Sequence, residues 1–331
     1  MDQAISLVKQ KAKSQQRKGI NAALLSAFFL GLAPIFGKMA INQNLNPLAV
    51  VAFRTLFATI LLFAFMAIFN RKYLYIYPVG LVGCMLAGWI NGVGSLFYYQ
   101  ALGKIDAGVG QLLYSLYPFF VVFWMMLDHQ RPSKLTAVRL IITLPAVFLL
   151  LKANGNSVDF IGVIEMLLAA ALYALHLPIN QRVLMDMPAP TVTLYTLLAM
   201  SAIVVPTYLF SGNPGEFPLN TQFWWPLLAL TLVTVFSRVT LFLGVKSLGG
   251  LQTAILGLSE LLVTVFLAQI WLGEHLNNSQ WFGAALLGIS MLLVAFERPI
   301  QQSNRQGGWF SWLSPPPQLP PDLDPRHGPG K

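Results

Sequence analysis

Apolar residues in this chain fall into long blocks, with polar residues confined to short gaps. Ten apolar runs lie near 20–42, 47–69, 77–101, 105–127, 134–151, 159–184, 190–210, 222–248, 250–272 and 278–296. At about 1.5 Å per residue, a helix of roughly 20 residues crosses the roughly 30 Å of bilayer hydrocarbon. The gaps carry turn chemistry: Asn46-Pro47, Asn70-Arg71-Lys72, Arg131-Pro132-Ser133, Asn154-Gly155-Asn156, Pro188-Ala189-Pro190, Asn213-Pro214-Gly215, Gly249-Gly250 and Asn277-Asn278. Lipid offers the backbone no hydrogen-bond partner, so the spanning segments must be helices. The alternating ten-residue strands of a membrane barrel are missing from the pattern.

The blocks repeat. Leu24-Leu25-Ser26-Ala27, Pro34-Ile35-Phe36-Gly37-Lys38 and Asn46-Pro47 are echoed by Leu167-Leu168-Ala169-Ala170, Pro178-Ile179-Asn180-Gln181-Arg182 and Ala189-Pro190, 143–144 positions later. At a shift of 143, Pro118 meets Leu261 and Ala101 meets Gly244. The chain therefore reads as two half-proteins, 20–152 and 159–297, each opening with a proline-interrupted helix. Five helices per half is an odd number, so the second half must enter from the opposite face. The expected fold is an all-α polytopic membrane protein, ten transmembrane helices in two inverted five-helix repeats. Such repeats mark secondary transporters that bind substrate near the midplane. Pro34 and Pro178 each remove a backbone donor, and the freed carbonyls point to a binding site, with a packed kink as the alternative.

Composition agrees with this pattern. The chain is 56% hydrophobic and 10% charged, against about 25% charged in soluble domains. The net charge of +9 follows membrane topology rather than nucleic acid. With the N-terminus inside, Lys9, Lys11, Lys13, Arg17, Lys18, Arg71, Lys72, Arg131, Lys134, Arg182, Lys246, Arg298, Arg305, Arg326 and Lys331 fall on one side. Only Lys104 and Lys152 lie in loops on the other. Both termini are thus expected in the cytoplasm of a multi-pass cell membrane protein, with a bacterial inner membrane as the default. Residues 1–19 read as a basic tail and 298–331 as a proline-rich one, in which Pro317-x-x-Pro320 is either a partner ligand or plain disordered chain. The first run lacks a cleavage site and is expected to stay as a helix. The single cysteine, Cys84, makes no internal disulfide.

Ionisable side chains inside hydrocarbon cost about 2.5–3.5 kcal/mol at a helix centre and need a partner or water. Arg238 and Glu260 are the deepest, so they are expected to face one polar cavity or to pair with each other. Proton coupling through Glu260 is an open alternative. Arg54, about seven residues into its run, could attract a substrate carboxylate or snorkel to the outer interface. Lys38, Arg182 and Glu165 read as interfacial. Tyr173, His176 and Asn180 share a helical face. Trp89, Asn91, Tyr98 and Tyr99 in the third run and Tyr114 and Tyr117 in the fourth suit an aromatic-walled site for amphipathic organic molecules, or else simple packing. Glycines 88, 92, 94, 103, 108 and 110 read as close helix contacts.

These features together resemble the drug/metabolite transporter superfamily, EamA-like branch. The resemblance rests on Asn46-Pro47 followed by Ala52-Phe53-Arg54, on Leu96-Phe97-Tyr98-Tyr99-Gln100-Ala101-Leu102, on Ser259-Glu260 and on Leu272-Gly273-Glu274. It covers residues 20–297. Two departures stand out: Leu261 replaces the proline that often follows the glutamate, and Asp128-His129-Gln130-Arg131 replaces a Leu-Gly-Glu ending in the first half. The resemblance implies export of amino acids or similar metabolites, with the fifth and tenth helices peripheral. Exchange of phosphorylated or nucleotide-linked metabolites, or a non-transporting scaffold or sensor, are the alternatives; a homodimer is left open. No phosphate loop, zinc-protease motif or nucleophile turn is present in the sequence, so neither an enzyme nor a cofactor is expected.

Overall fold

The computed structural model describes residues 2–127, 134–151, 159–211, 224–273 and 278–293, and among them every regular element is a helix. The first half holds α1 (Asp2–Asn42), α2 (Pro47–Phe69), a 3-10 turn (Arg71–Leu74), α3 (Pro78–Lys104), α4 (Ala107–Tyr114), α5 (Tyr117–Leu127) and α6 (Lys134–Leu151). The second holds α7 (Phe160–Asp186), α8 (Ala189–Phe210), α9 (Trp224–Leu248), α10 (Gly250–Gly257), α11 (Ser259–Leu267) with a π turn to Leu272, and α12 (Asn278–Leu292). Helix starts follow local chemistry. Asn46 accepts a hydrogen bond from the Leu48 amide at 2.9 Å ahead of Pro47, and Asp159 accepts from Ile161 and Gly162 at 2.8 and 3.2 Å.

Among the described residues, eight helical segments are long and apolar enough to cross a membrane: Ser14–Asn42, Pro47–Phe69, Pro78–Lys104, Ala107–Trp124, Phe160–Asp186, Ala189–Phe210, Trp224–Leu248 and Gly250–Leu272. The protein is a multi-pass membrane protein. The expected fifth and tenth spans correspond to α6 and α12, which are helical but fall outside that set of eight. Residues 2–19 are helical and continuous with the rest of α1. Two expectations need correction. Neither Pro34 nor Pro178 breaks its helix, since α1 and α7 run through them. The interruptions lie instead in the fourth and ninth runs, between α4 and α5 and between α10 and α11. The proline-rich segment 298–331 lies outside the described residues.

The halves interlock. α1 packs along α9 and α3 along α7, so the first helix of each half lies on the third helix of the other. α2 meets its own counterpart α8, and α6 meets α12. Thr59 bonds Ser201 at 3.0 Å and Thr143 bonds Ser290 at 3.3 Å. Pairs of this kind, about one repeat apart in sequence, are what a two-fold relation between the halves brings together. The α1–α9 pair is antiparallel: Gly19 lies against Ser247 and Leu248, while Phe36 stacks edge-on to Trp225 at the other end. Glycine permits the closest approaches. A Cβ on Gly88 would come within 2.6 Å of the Thr196 carbonyl, and one on Gly31 within 2.6 Å of the Glu260 carbonyl.

Side chains pin the junctions at corresponding places in the two halves. Lys38 donates to the carbonyls of Leu102 and Ile105 at 2.8 and 2.9 Å, capping α3. Gln181, 143 positions on, accepts from the Gly250 amide at 2.7 Å, capping α10. The Lys38 ammonium thus serves the end of α3. Between α9 and α10, Gly249 takes φ 88° and ψ 161°, a region open to glycine almost alone. A Gly249→Ala variant is expected to lose about 1–3 kcal/mol of stability, read as a lower midpoint of thermal unfolding in detergent.

Candidate functional site

Polar residues that the bilayer would penalise converge between the halves. A cavity of about 40 Å³ is lined by Arg54, Asn91, Ser95, Tyr98, Tyr99, Gln111, Tyr114, Tyr173, Arg238 and Glu260, with Leu30, Ala33, Gly94 and Ala169 completing the wall. Helical spacing explains the convergence. Asn91, Ser95, Tyr98 and Tyr99 share one face of α3, Gln111 and Tyr114 one face of α4, and Thr234 and Arg238 one face of α9. Glu260 occupies the first turn of α11, directly after the helix interruption.

Both guanidinium groups are buried among oxygen acceptors and ring faces. Arg54 donates to Thr234 Oγ1 at 3.4 Å and Ser95 Oγ at 3.3 Å, and its guanidinium carbon lies 4.6 Å from the Tyr99 ring centre. Arg238 lies 5.6 Å from the Tyr173 ring. With its oxygen turned toward α9, the Asn91 amide accepts from both terminal nitrogens of Arg238 at 3.2 and 3.3 Å. Tyr98 donates to Gln111 Oε1 at 3.2 Å, and Gln111 and Glu260 both line the cavity. Arg238 and Glu260 therefore share the cavity, but they form no ion pair; those seen are Lys104–Glu165 and Arg182–Asp186, among the described residues. Arg54 Nε, Tyr99 Oη and Glu260 Oε1 are buried without a hydrogen-bond partner. A buried polar atom left this way is costly and calls for water or a ligand.

Other sequence candidates take different places. Trp89 is 43% exposed and absent from the cavity wall, two residues before Asn91 and so on another helix face. Tyr117 packs its ring tilted against Tyr114 and edge-on to Tyr173 but sends its hydroxyl to the Ala254 carbonyl at 2.7 Å. His176 is wholly buried beneath Tyr173, and its Nδ1 bonds the Tyr173 carbonyl. Asn180 donates to the His176 carbonyl at 3.0 Å and accepts from Thr196 at 3.3 Å. These last three form a second layer behind the wall, and the His176 and Asn180 contacts lie on the turns flanking Pro178. Gln111 and Ser95 are wall residues that the sequence reading missed. The available signal for Gln111 was its i, i+3 spacing to Tyr114. Among the described residues no group of three His, Cys, Asp or Glu side chains could hold a metal ion.

Comparison with known proteins fits this architecture. A profile described as the EamA-like transporter family matches the chain twice, over residues 17–152 and 160–296. The chain belongs to that family. This EamA-like transporter is 24% identical over 214 residues to the uncharacterized transporter YcbK of Bacillus subtilis (strain 168), covering 61% of this chain and 67% of the relative. It is 25% identical over 225 residues to an uncharacterized transporter of Synechocystis sp., covering 66% of each. These matches span about two thirds of each relative's length. A solved crystal structure of a protein at 18% identity shares the fold, with a TM-score of 0.66 over 86% of this chain and 97% of its own.

The Tyr98–Gln111 hydrogen bond is open to test. Gln111→Leu leaves the Tyr98 hydroxyl short of its acceptor, which costs about 1–3 kcal/mol. The expected outcome is a lower unfolding midpoint in detergent, with the helical content of the folded protein unchanged by circular dichroism.

Proposed function

We propose that this EamA-like transporter carries small zwitterionic metabolites, amino acids above all, outward across the cell membrane. In this reading ten spans form two inverted five-helix halves, 20–152 and 159–297, with both termini cytoplasmic. The halves rock around the cavity so that it opens to one side and then to the other. The observation that carries the reading is the composition of the cavity wall: two guanidinium groups and one carboxyl group under a screen of tyrosines. A substrate carboxylate matches Arg54 and Arg238. A substrate ammonium matches the unpartnered Oε1 of Glu260. An apolar substrate side chain matches the rings of Tyr98, Tyr99, Tyr114 and Tyr173. Export as the direction rests on the family resemblance.

Two measurements test this. The first is counterflow in proteoliposomes with labelled L-leucine, L-phenylalanine, putrescine and glucose 6-phosphate, with and without a pH gradient. The amino acids should exchange; the diamine lacks the carboxylate and should not. Exchange of the phosphate ester alone would overturn the reading. Arg54→Gln and Arg238→Gln should each lower exchange about 10- to 100-fold, the loss of one charge-assisted contact of about 1.5–3 kcal/mol. The second is thiol labelling of reporter cysteines at Asn44 and Pro188; the native Cys84 is buried and contributes little background. The two reporters should react from opposite faces, and reaction from the same face would sink the inverted arrangement.

A further inference from the structure

The two interrupted helices are not held open in the same way. In the first half, the Ser115 hydroxyl takes the Leu112 carbonyl at 2.6 Å, so the Leu116 amide moves to Leu113 at 3.2 Å. Pro118 then supplies no amide for the Tyr114 carbonyl. In the second half, the Ser259 hydroxyl takes the Leu256 carbonyl at 2.8 Å. The residue corresponding to Pro118, 143 positions on, is Leu261, which has its amide and bonds Leu258 at 3.1 Å. No proline loosens this turn. What does so comes from the other half: the Tyr117 hydroxyl donates to the Ala254 carbonyl at 2.7 Å. In a continuous α-helix that carbonyl would take the Leu258 amide. Here the Leu258 amide is displaced to Ile255 at 3.3 Å.

Gly257 makes the approach possible. A Cβ there would sit 2.2 Å from the Tyr117 hydroxyl oxygen. Glu260 follows two residues after the displaced amide, in the first turn of α11, with Oε1 unpartnered at the cavity. A helix that closed over Leu258 would carry Glu260 to a different rotation about the helix axis.

We propose that Tyr117 is a positioning residue: its hydroxyl holds the α10–α11 interruption open and thereby aims Glu260 into the cavity. The proposal rests on the reading of that cavity as the substrate site. It gives Tyr117 a role other than contact with substrate, since its ring and hydroxyl are turned into the helix seam.

The test uses the full chain with Tyr117→Phe, Gly257→Ala and the double variant. Phenylalanine keeps the ring packing and lacks the donor. Alanine at 257 pushes the tyrosine hydroxyl away, but has no hydroxyl to meet when residue 117 is phenylalanine. Hydrogen exchange of peptides within 250–267 reads the interruption without any substrate. Both single variants should slow exchange at Leu258 about tenfold, as its amide regains the Ala254 carbonyl. The double variant should match Tyr117→Phe rather than add to it. Counterflow of labelled L-leucine and L-phenylalanine should fall about tenfold or more in all three. Unchanged exchange at Leu258, or additive effects, overturns the latch. Slowed exchange with intact counterflow overturns its role in aiming Glu260. If Glu260→Gln also leaves counterflow intact, the cavity reading fails instead, and the exchange data still decide the latch.

Discussion

A carbonyl buried in hydrocarbon must find a donor inside the protein, because an unmet one costs several kcal/mol. Much of this fold is a record of where those donors come from. Threonines on α2 and α9 bond back one turn, Thr55 to Val51 and Thr59 to Thr55, Thr231 to Leu227 and Thr234 to Leu230. That leaves each helix self-contained and lets its neighbours approach closely. Where a helix ends inside the bundle the donors are longer: Lys38 reaches two carbonyls at the end of α3. Once the backbone is satisfied in this way, the remaining polar side chains can gather in one place. They gather between the halves, away from lipid.

The spans were legible because hydropathy is a property of whole segments and does not depend on packing. Their interruptions were not. Proline drew attention to residues 34 and 178, yet both helices continue through those positions. In α7 the side chains of His176 and Asn180 supply bonds to carbonyls on the turns around Pro178. The α10–α11 interruption follows Gly257, but the hydroxyl that reaches Ala254 comes from Tyr117, 137 residues earlier in the chain. A cause lying that far off leaves only a faint local pattern for a sequence reading to find.

The cavity was half legible for a related reason. Arg54, Arg238 and Glu260 stand out in any apolar run, because burying a charge is costly enough to demand an explanation. Tyr98, Tyr99, Tyr114 and Tyr173 could be grouped by helical spacing. Trp89 was grouped with them through proximity in sequence to Asn91, but two residues along a helix is more than half a turn. Gln111 was passed over because a neutral amide in a membrane helix costs less than a charge and so signals less. It nonetheless lines the cavity and accepts from Tyr98. The family assignment adds the architecture and leaves the cargo to be read from the wall itself.

The crosswise pairing of α1 with α9 and of α3 with α7 bears on how the chain is made. The Ser26 hydroxyl on α1 bonds the carbonyl of Ser237, which leaves the ribosome 211 residues later. Until then the first helix waits in the bilayer without its neighbour. Neither half is a finished unit, and a transcript cut at the midpoint would deliver a membrane-inserted fragment with an open seam.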